Sequence, residues 1–130
     1  MCLKKVLLLD KDMDALNVGK SNLISAKAFF EIGQYRDSVT MSYNAMYSAA
    51  LALLLKKDIS PGTHGGTMRQ LAKEYVKPGL LSKQTYEFLN GGMADRNKSS
   101  YDYSAVFSEE IAEKYICKAE RFINEAETLI

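Results

Sequence analysis

The stretch YRDSVTMSYNAMYSAALALLLKK, residues 35–57, is the segment around which we expect the rest of the chain to pack. It contains neither Pro nor Gly and is rich in Ala, Leu and Met, which are strong helix formers. Its apolar residues occur on nearly every side of a helical wheel, and such a helix is covered by neighbours on most sides. Small side chains at five positions would let those neighbours approach closely: Ser42, Ala45, Ser48, Ala49 and Ala52. We therefore predict the central helix of a bundle.

Helical patterns also occur on both sides of this stretch. Further helices are predicted at residues 10–32, at 67–76, from 82 to beyond 93, and at 104–129. Because Gly33 leaves only a short connection between the first two helices, they should be antiparallel neighbours. Gly91 and Gly92 interrupt the fourth helix, where they predict a kink or a close contact between helices. No alternating strand pattern occurs, so the predicted fold class is all-α, an up-and-down bundle of four to five antiparallel helices.

The ends and the buried faces of these helices can also be predicted. Thr63 or Thr67 is a suitable N-cap for the third helix, and Ser82 is suitable for the fourth. The polar sequence at 97–104 predicts a turn before the last helix. In the first helix one apolar stripe is predicted to face the core: Leu16, Leu23, Ala26 and Phe30, widened by Ile24, Ala28 and Phe29.

The length and the charge of the chain limit what it can do. Its 130 residues suffice for one helical domain with its own core, which we place at 1–130 with 1–9 as a short extra N-terminal segment. The net charge of +1 gives no global attraction to nucleic acid. Any phosphate binding would therefore need a local group of Lys and Arg.

Cysteine usage and hydropathy favour a reduced, cytoplasmic protein. Cys2 and Cys117 show no CxxC spacing and the chain has one His, which argues against a zinc site. Cys117 is expected to be buried as a small hydrophobe. The apolar run at 6–9 is shorter than a signal-sequence core, and no segment approaches the ~20 apolar residues of a membrane span. No P-loop, GxGxxG, HExxH or GxSxG motif is present, and no metal or cofactor is predicted.

Two places in the chain could carry chemistry. His64 lies in the Gly-rich segment SPGTHGG and could cap a helix or bond to backbone, or alternatively take part in catalysis. The second place is DRNKSSYDY at 95–103, because Arg suits bidentate phosphate binding and Tyr can stack on a base. The alternative for this segment is that Asp95, Arg96 and Asp102 form surface ion pairs around a helix break.

Four parts of the chain together resemble the HEPN domain family, whose name stands for higher eukaryotes and prokaryotes nucleotide-binding. They are the central stretch 35–57, SPGTHGG at 60–66, EYVKPGLL at 74–81 and RNKSSYDY at 96–103. The likeness extends roughly from the first helix to the last. It implies a bundle of four or five helices that dimerises around its polar turn. Many members are metal-independent RNases or the toxins of toxin–antitoxin pairs, and their usual partner is a minimal nucleotidyltransferase.

The RNase members of the family carry an Arg that is followed, after four to six residues, by a His. Arg96 matches this Arg and Asn97 matches the polar residue that often comes next, but the His position is occupied by Tyr101. A phenol with a pKa near ~10 is a poor general base, so this departure argues against full RNase activity. The Arg-x4-Tyr-Asp form nevertheless resembles a recognised subgroup of the family.

The resemblance also implies roles for other residues of the same segment. Tyr103 matches the position at which the partner enzyme attaches AMP to toxin members; alternatively, it packs against the last helix. In a dimer, Arg96, Lys98 and Tyr101 of both chains would converge across a two-fold axis and form a local positive site.

These expectations combine into one leading hypothesis. The protein would be a cytoplasmic HEPN homodimer and the helical partner of a nucleotidyltransferase. It would bind a nucleotide or RNA, and Arg96 would hold the phosphate. The predicted binding residues are Arg96, Asn97, Lys98, Tyr101 and His64. The alternatives are a metal-independent endoribonuclease, with Arg96 as a catalytic phosphate clamp and His64 brought in to supply the imidazole, or a structural helical adaptor.

Overall fold

The structure is a computed structural model that describes residues 11–130, and these residues form five α-helices. The helices are α1 (Lys11–Glu31), α2 (Tyr35–Lys56), α3 (His64–Leu71), α4 (Lys83–Tyr101) and α5 (Glu109–Leu129). A single π-helical turn, Ala72–Val76, continues α3. No strand occurs in this part of the chain, so the prediction of an all-α bundle is confirmed. The proposed extra segment 1–9 lies outside the described residues.

Helix α2 is the centre of the bundle, as its apolar pattern predicts. It contacts every other helix of the described chain, and most of its length is buried. Its fully buried side chains include Val39, Met46, Leu53 and Leu54. The connection to α1 is tight because Gly33 adopts a φ of +78°, and the amide of Gln34 donates to the carbonyl of Phe29 at 2.8 Å.

Two glycines allow helices to approach closely. A Cβ atom added at Gly19 of α1 would lie 2.9 Å from the carbonyl oxygen of Ala45 on α2. A Cβ added at Gly92 of α4 would lie 3.2 Å from Cδ2 of Tyr43 and 3.5 Å from Cε1 of Tyr115. The close contact predicted at the glycine pair of α4 is therefore present at Gly92.

Helices α3 and α4 differ from the predicted boundaries. Helix α3 begins at His64 rather than near residue 67, because the Thr63 hydroxyl accepts a hydrogen bond from the amide of Gly66 at 2.9 Å. Helix α4 continues to Tyr101, so the turn predicted at 97–104 is wrong over its first half. The polar sequence remains helical because Ser99 is buried against α2, where its hydroxyl lies 2.6 Å from that of Thr40. The turn itself begins at Asp102.

Two predictions of burial are wrong. Ile24 of α1 is 70% exposed and Ala28 is also exposed, because only one side of α1 is covered by α2 and α5. Cys117 is exposed as well, since it lies beside the buried stripe of α5 that contains Ile116 and Ala119. In residues 11–130 we find no helix with the length and apolarity needed to cross a membrane.

Candidate functional site

Arg96 lies on the face of α4 that is turned towards α2. It follows Gly92 by one helical turn, and Gly92 packs against the ring of Tyr43. The Nε atom of Arg96 is buried and has no hydrogen-bond partner among the described residues. Its guanidinium carbon lies 5.6 Å from the ring centroid of Tyr101. A buried donor without a partner is costly to the fold, so Arg96 can take an acceptor from outside the described residues.

The surface ion pairs considered for this segment are not formed. The carboxylate of Asp95 accepts a hydrogen bond from the hydroxyl of Tyr115 at 2.5 Å. That of Asp102 accepts from the amide of Ser104 at 3.0 Å and from its hydroxyl at 2.8 Å. Within residues 11–130 no carboxylate lies at ion-pair distance from Arg96. The positive charge of Arg96 is therefore not neutralised by its sequence neighbours.

Three rings form a column beside Arg96. The ring centroids of Tyr43 and Tyr47, one turn apart on α2, are 6.3 Å apart at an interplanar angle of 17°. The imidazole of His64 stacks on Tyr47 with a centroid distance of 4.2 Å and an angle of 14°. We call Tyr43, Tyr47 and His64 the ring column. It begins in the core at Tyr43, which is buried, and ends at His64, which is exposed.

The charge of Arg96 acts on two members of the ring column. Burial lowers the pKa of His64, and the positive charge of Arg96 lowers it further. Burial and the neighbouring Tyr47 raise the pKa of Tyr43 to about 12, and Arg96 opposes this rise. A His with a lowered pKa is neutral at pH 7. The structure therefore brings a neutral imidazole and an unneutralised guanidinium into one electrostatic environment.

His64 does not have either of the structural roles expected from the sequence. The cap of α3 is the side chain of Thr63, and His64 is the first residue of the helix. Its ring stacks on Tyr47 instead of bonding to backbone. The contact between Tyr47 and His64 could not be predicted from the sequence, because it depends on how α3 packs on α2.

The other predicted binding residues lie around the C-terminal end of α4. Asn97, Lys98, Tyr101 and Asp102 line an open depression of about 680 Å³. Tyr101 is 69% exposed and links this depression to Arg96, since the guanidinium lies over its ring. Arg96 and Tyr101 therefore lie together, while Asn97 and Lys98 extend this site along the surface.

Arg36, which we did not single out from the sequence, holds the turn after α4. Its Nη1 atom donates to the carbonyls of Lys98, Ser99 and Asp102 at 3.1, 3.2 and 2.7 Å, and its Nη2 atom donates to the carbonyl of Ala105. The guanidinium also lies 5.5 Å from the ring centroid of Phe107. These bonds satisfy carbonyls that a helix end leaves free. No local signal in the sequence marks Arg36, because all its partners lie more than sixty residues away.

The turn held by Arg36 exposes Tyr103. Hydrogen bonds from the hydroxyl and the amide of Ser104 lower the pKa of Asp102 and order the turn around its carboxylate. Tyr103 is 95% exposed, and Val106 is 90% exposed. The alternative that Tyr103 packs against the last helix is therefore wrong. Its hydroxyl is open to a modifying enzyme.

The side chains at this site favour a ligand that combines a phosphate with an aromatic base. Guanidinium and ammonium groups bind phosphate, and flat rings stack on bases. No group of His, Cys, Asp and Glu in the described chain has the arrangement of a metal site.

Comparison with known proteins finds one matching family and several similar chains. The family profile described as HEPN domain matches residues 13–129. "Putative toxin MJ0605" of Methanocaldococcus jannaschii is 31% identical over 109 residues, which cover 84% of this chain and 81% of that protein. "Putative toxin MJ0142" of the same organism is 32% identical over 90 residues, which cover 69% of this chain and 61% of that protein. A "UPF0332 protein" of Thermotoga maritima is 32% identical over 108 residues, covering 83% and 82%.

Proposed function

Because this chain belongs to the HEPN domain family, we propose that it binds a nucleotide or single-stranded RNA as the helical component of a toxin–antitoxin-type module. The observation that carries this proposal is the buried Nε atom of Arg96, which has no partner among the described residues and no carboxylate near it. A phosphate would supply the missing acceptor and the opposite charge. Arg is well suited to this because its guanidinium can donate two parallel hydrogen bonds to phosphate oxygens.

The residues around Arg96 would complete the binding site. Tyr101 offers an exposed ring beside the guanidinium, and Lys98 and Asn97 line the adjacent depression. A chain with a net charge of +1 can bind an anion only through such a local arrangement. The predicted site residues thus remain the candidates for contact with the ligand.

The toxin role and the nucleotidyltransferase partner belong to the same proposal. Two similar proteins carry the word toxin in their names. The resemblance to the family implies a minimal nucleotidyltransferase as the partner. The exposure of Tyr103 supports its role as the AMP acceptor. AMP on this hydroxyl would place a phosphate charge close to Tyr101 and Lys98, where it would compete with the ligand. Modification would thereby inactivate the toxin.

We also propose a homodimer formed around the turn after α4. Tyr101, Tyr103 and Val106 are large side chains that are well exposed within a short segment, and such a group favours association. In a two-fold dimer, Arg96 and Lys98 of both chains would double the local positive charge. Light scattering of the purified protein tests this directly, and a Val106→Asp variant should shift the molecule towards a monomer.

The binding proposal is tested by fluorescence anisotropy with a labelled single-stranded RNA. Arg96→Ala should weaken binding by roughly tenfold to a hundredfold, the usual cost of losing hydrogen bonds from a charged donor. Arg121→Ala is the matched control, because Arg121 lies on α5 and its guanidinium bonds to Gln84. If Arg96→Ala binds RNA as tightly as the wild type does, Arg96 is not a phosphate ligand. If the wild type itself does not bind RNA, the adaptor interpretation remains.

The position of His64 supports a second candidate function, metal-independent RNA cleavage. Arg96 would hold the phosphate while His64 accepts the proton of the 2′-OH as its oxygen bonds to phosphorus. The bond from phosphorus to the 5′ oxygen would break, and that oxygen would take a proton from water, which leaves a cyclic phosphate. Incubation with labelled RNA in EDTA tests this function. Cleavage that both Arg96→Ala and His64→Phe abolish would establish it, and intact RNA in the wild-type reaction would exclude it.

The AMP-acceptor role of Tyr103 has its own test. Co-expression with a nucleotidyltransferase encoded beside this chain should increase the protein mass by one AMP unit, and Tyr103→Phe should prevent the increase. Tyr101→Phe is the matched control, because Tyr101 is also exposed and lies two positions away. An increase that persists in Tyr103→Phe would place the modification on another residue.

A further inference from the structure

We propose that the exposed face of His64 is the stacking surface for a nucleobase whose phosphate is held by Arg96. This inference rests on the proposed function, because it assigns the base-binding half of the same site. Neither the family match nor the similar proteins give His64 this role.

The geometry of the ring column supports the proposal. Tyr43 and Tyr47 stack at 6.3 Å, and Tyr47 and His64 stack at 4.2 Å with nearly parallel planes. One face of the imidazole is therefore covered by Tyr47, while His64 as a whole is exposed. The opposite face is the open end of a stack that begins in the core. A flat aromatic group placed there would continue the stack by one ring.

The first turn of α3 holds His64 in this position. The hydroxyl of Tyr47 lies 3.0 Å from that of Thr67, which is fully buried and bonds at 3.0 Å to the carbonyl of Thr63. The side chain of Thr63 in turn accepts from the amide of Gly66. Two hydroxyl groups and a helix cap thus fix both rings of the outer stack before any ligand arrives. A stacking surface that is already ordered binds with less loss of conformational entropy.

The surroundings of His64 suit an anionic aromatic ligand. Gly65 has no side chain, and the Nη1 atom of Arg69 lies 3.3 Å from the place where a Cβ would be. Arg96 follows Gly92 by one helical turn, and Gly92 packs against Tyr43, the inner ring of the ring column. Arg69 and Arg96 therefore place two positive charges in the surroundings of the ring column. A nucleotide fits this combination because it carries a flat base and a phosphate in one unit, whereas a free phosphate would leave the ring face unused.

Neutral imidazole makes stacking, rather than charge, the expected contribution of His64. Burial and Arg96 both lower its pKa, so the ring is uncharged at neutral pH. Stacking on an aromatic side chain tolerates every base, because each base has a π face. We therefore expect the protein to bind RNA more tightly than a ribose-phosphate backbone that lacks bases. We expect no strong selection among the four bases.

The experiment compares two labelled probes by fluorescence anisotropy: a single-stranded RNA and an abasic ribose-phosphate oligomer of the same length. The wild type should bind RNA about tenfold more tightly than the abasic oligomer, which is the effect of one stacked base. His64→Ala should lose this preference, whereas His64→Phe should keep it because phenylalanine also presents a flat ring. Arg96→Ala should weaken binding of both probes and leave the ratio between them unchanged.

Each outcome separates this inference from the proposed function. If His64→Ala keeps the preference for RNA, or if His64→Phe loses it, His64 is not the stacking surface, even when Arg96→Ala abolishes binding. If the wild type binds both probes equally and Arg96→Ala weakens both, phosphate binding stands and base stacking fails. If the wild type binds neither probe, both proposals are wrong. Circular dichroism of each variant confirms that the fold is retained.

Discussion

Arg36 shows how a single side chain can hold a whole turn of this bundle in place. One guanidinium joins the first turn of α2 to four carbonyls of the segment from Lys98 to Ala105. Without it, the carbonyls at the end of α4 would depend on water. The turn that exposes Tyr103 therefore depends on a residue far away in the chain. A residue can thus shape the candidate site without contacting a ligand.

Arg36→Ala should lower the free energy of unfolding by about 1–3 kcal/mol, because several hydrogen bonds from a charged donor are lost at a partly exposed site. Urea unfolding followed by circular dichroism measures this change. Amide hydrogen exchange should also become faster from residue 102 to 107, while exchange in the middle of α2 stays slow. Equal exchange rates in the turn before and after the substitution would show that Arg36 does not hold it.

Replacement of His64 or Arg96 should change the stability of the fold much less than replacement of Arg36. His64 is exposed and Arg96 has an unsatisfied buried Nε atom, so neither contributes strongly to the fold. Substitution of either residue by Ala should change the free energy of unfolding by less than about 1 kcal/mol, the usual range for sites outside packed contacts. Thermal unfolding of the two variants checks this. A large loss of stability at Arg96 would point to a structural role for the guanidinium.

At the scale of the helices, close approach decides which positions tolerate a side chain. The neighbours Gly91 and Gly92 on α4 illustrate this because they differ only in what lies opposite them. A Cβ added at Gly91 meets nothing within 4 Å, whereas one added at Gly92 meets the rings of Tyr43 and Tyr115. The ring of Tyr43 cannot easily move, since it is buried and its hydroxyl donates to the sulfur of Met93.

The two glycines therefore form a matched pair for a stability test. Gly91→Ala should raise the free energy of unfolding by about 0.8–1 kcal/mol, because Ala is the better helix former and has room. Gly92→Ala should lower it by about 1 kcal/mol or more, because overpacking outweighs the gain in helix propensity. Urea unfolding of both variants measures the difference. The same sign for both would show that α4 can move away from α2 at little cost.

Helix α3 depends on its cap in a comparable way. Thr63→Ala removes the acceptor for the amide of Gly66, which should cost about 1 kcal/mol of stability. Since the cap also orders the first turn, His64 should lose part of its stacking on Tyr47. Thr63→Ser is the control that keeps the acceptor oxygen. A Thr63→Ala protein as stable as wild type would mean that water replaces the cap.

For the whole molecule, pH should act on the fold through His64 and through the carboxylates with lowered pKa, Asp102 and Glu125, of which Glu125 joins two helices. Burial raises the pKa of Glu125, but hydrogen bonds from Thr85 and Ser82 outweigh this effect and lower the pKa below its ordinary value of 4.5. These bonds join the start of α4 to the end of α5. The pKa of His64 is also lowered, below its ordinary value of 6.5.

These shifts predict a fold that loses stability on acidification. For each group the unfolded chain binds a proton more readily than the folded chain does, so protonation favours unfolding. Stability should begin to fall below pH 6.5 because of His64 and fall again below pH 4.5 because of Glu125. Urea unfolding across this range measures both steps. His64→Phe should remove the upper step only, and Glu125→Gln should reduce the lower step and also weaken the protein at neutral pH.

The sequence was a good guide to the helices and a partial guide to the site. Residues 35–57 predicted α2 closely, and Ser82 was the predicted cap of α4. The turn at 97–104 was misplaced, because local polarity cannot reveal that Ser99 is buried against α2. Cys117 was misplaced for the same reason, since a helix position is buried only where a neighbour covers it. The roles of Arg96, Asn97, Lys98, Tyr101 and Tyr103 stay predictions that the experiments above can decide.

Local patterns in the sequence are enough to predict an all-α bundle built around α2, because helical periodicity and the lack of Pro and Gly in residues 35–57 involve only neighbouring residues. The sequence also marked Arg96 and Tyr101, which are close together in the chain. Two contacts emerge only when the helices pack: His64 stacks on Tyr47 within reach of the charge of Arg96, and Arg36 holds the turn before α5. The physical reason is that these contacts depend on how helices pack, and packing is set by close approach and burial across the whole bundle.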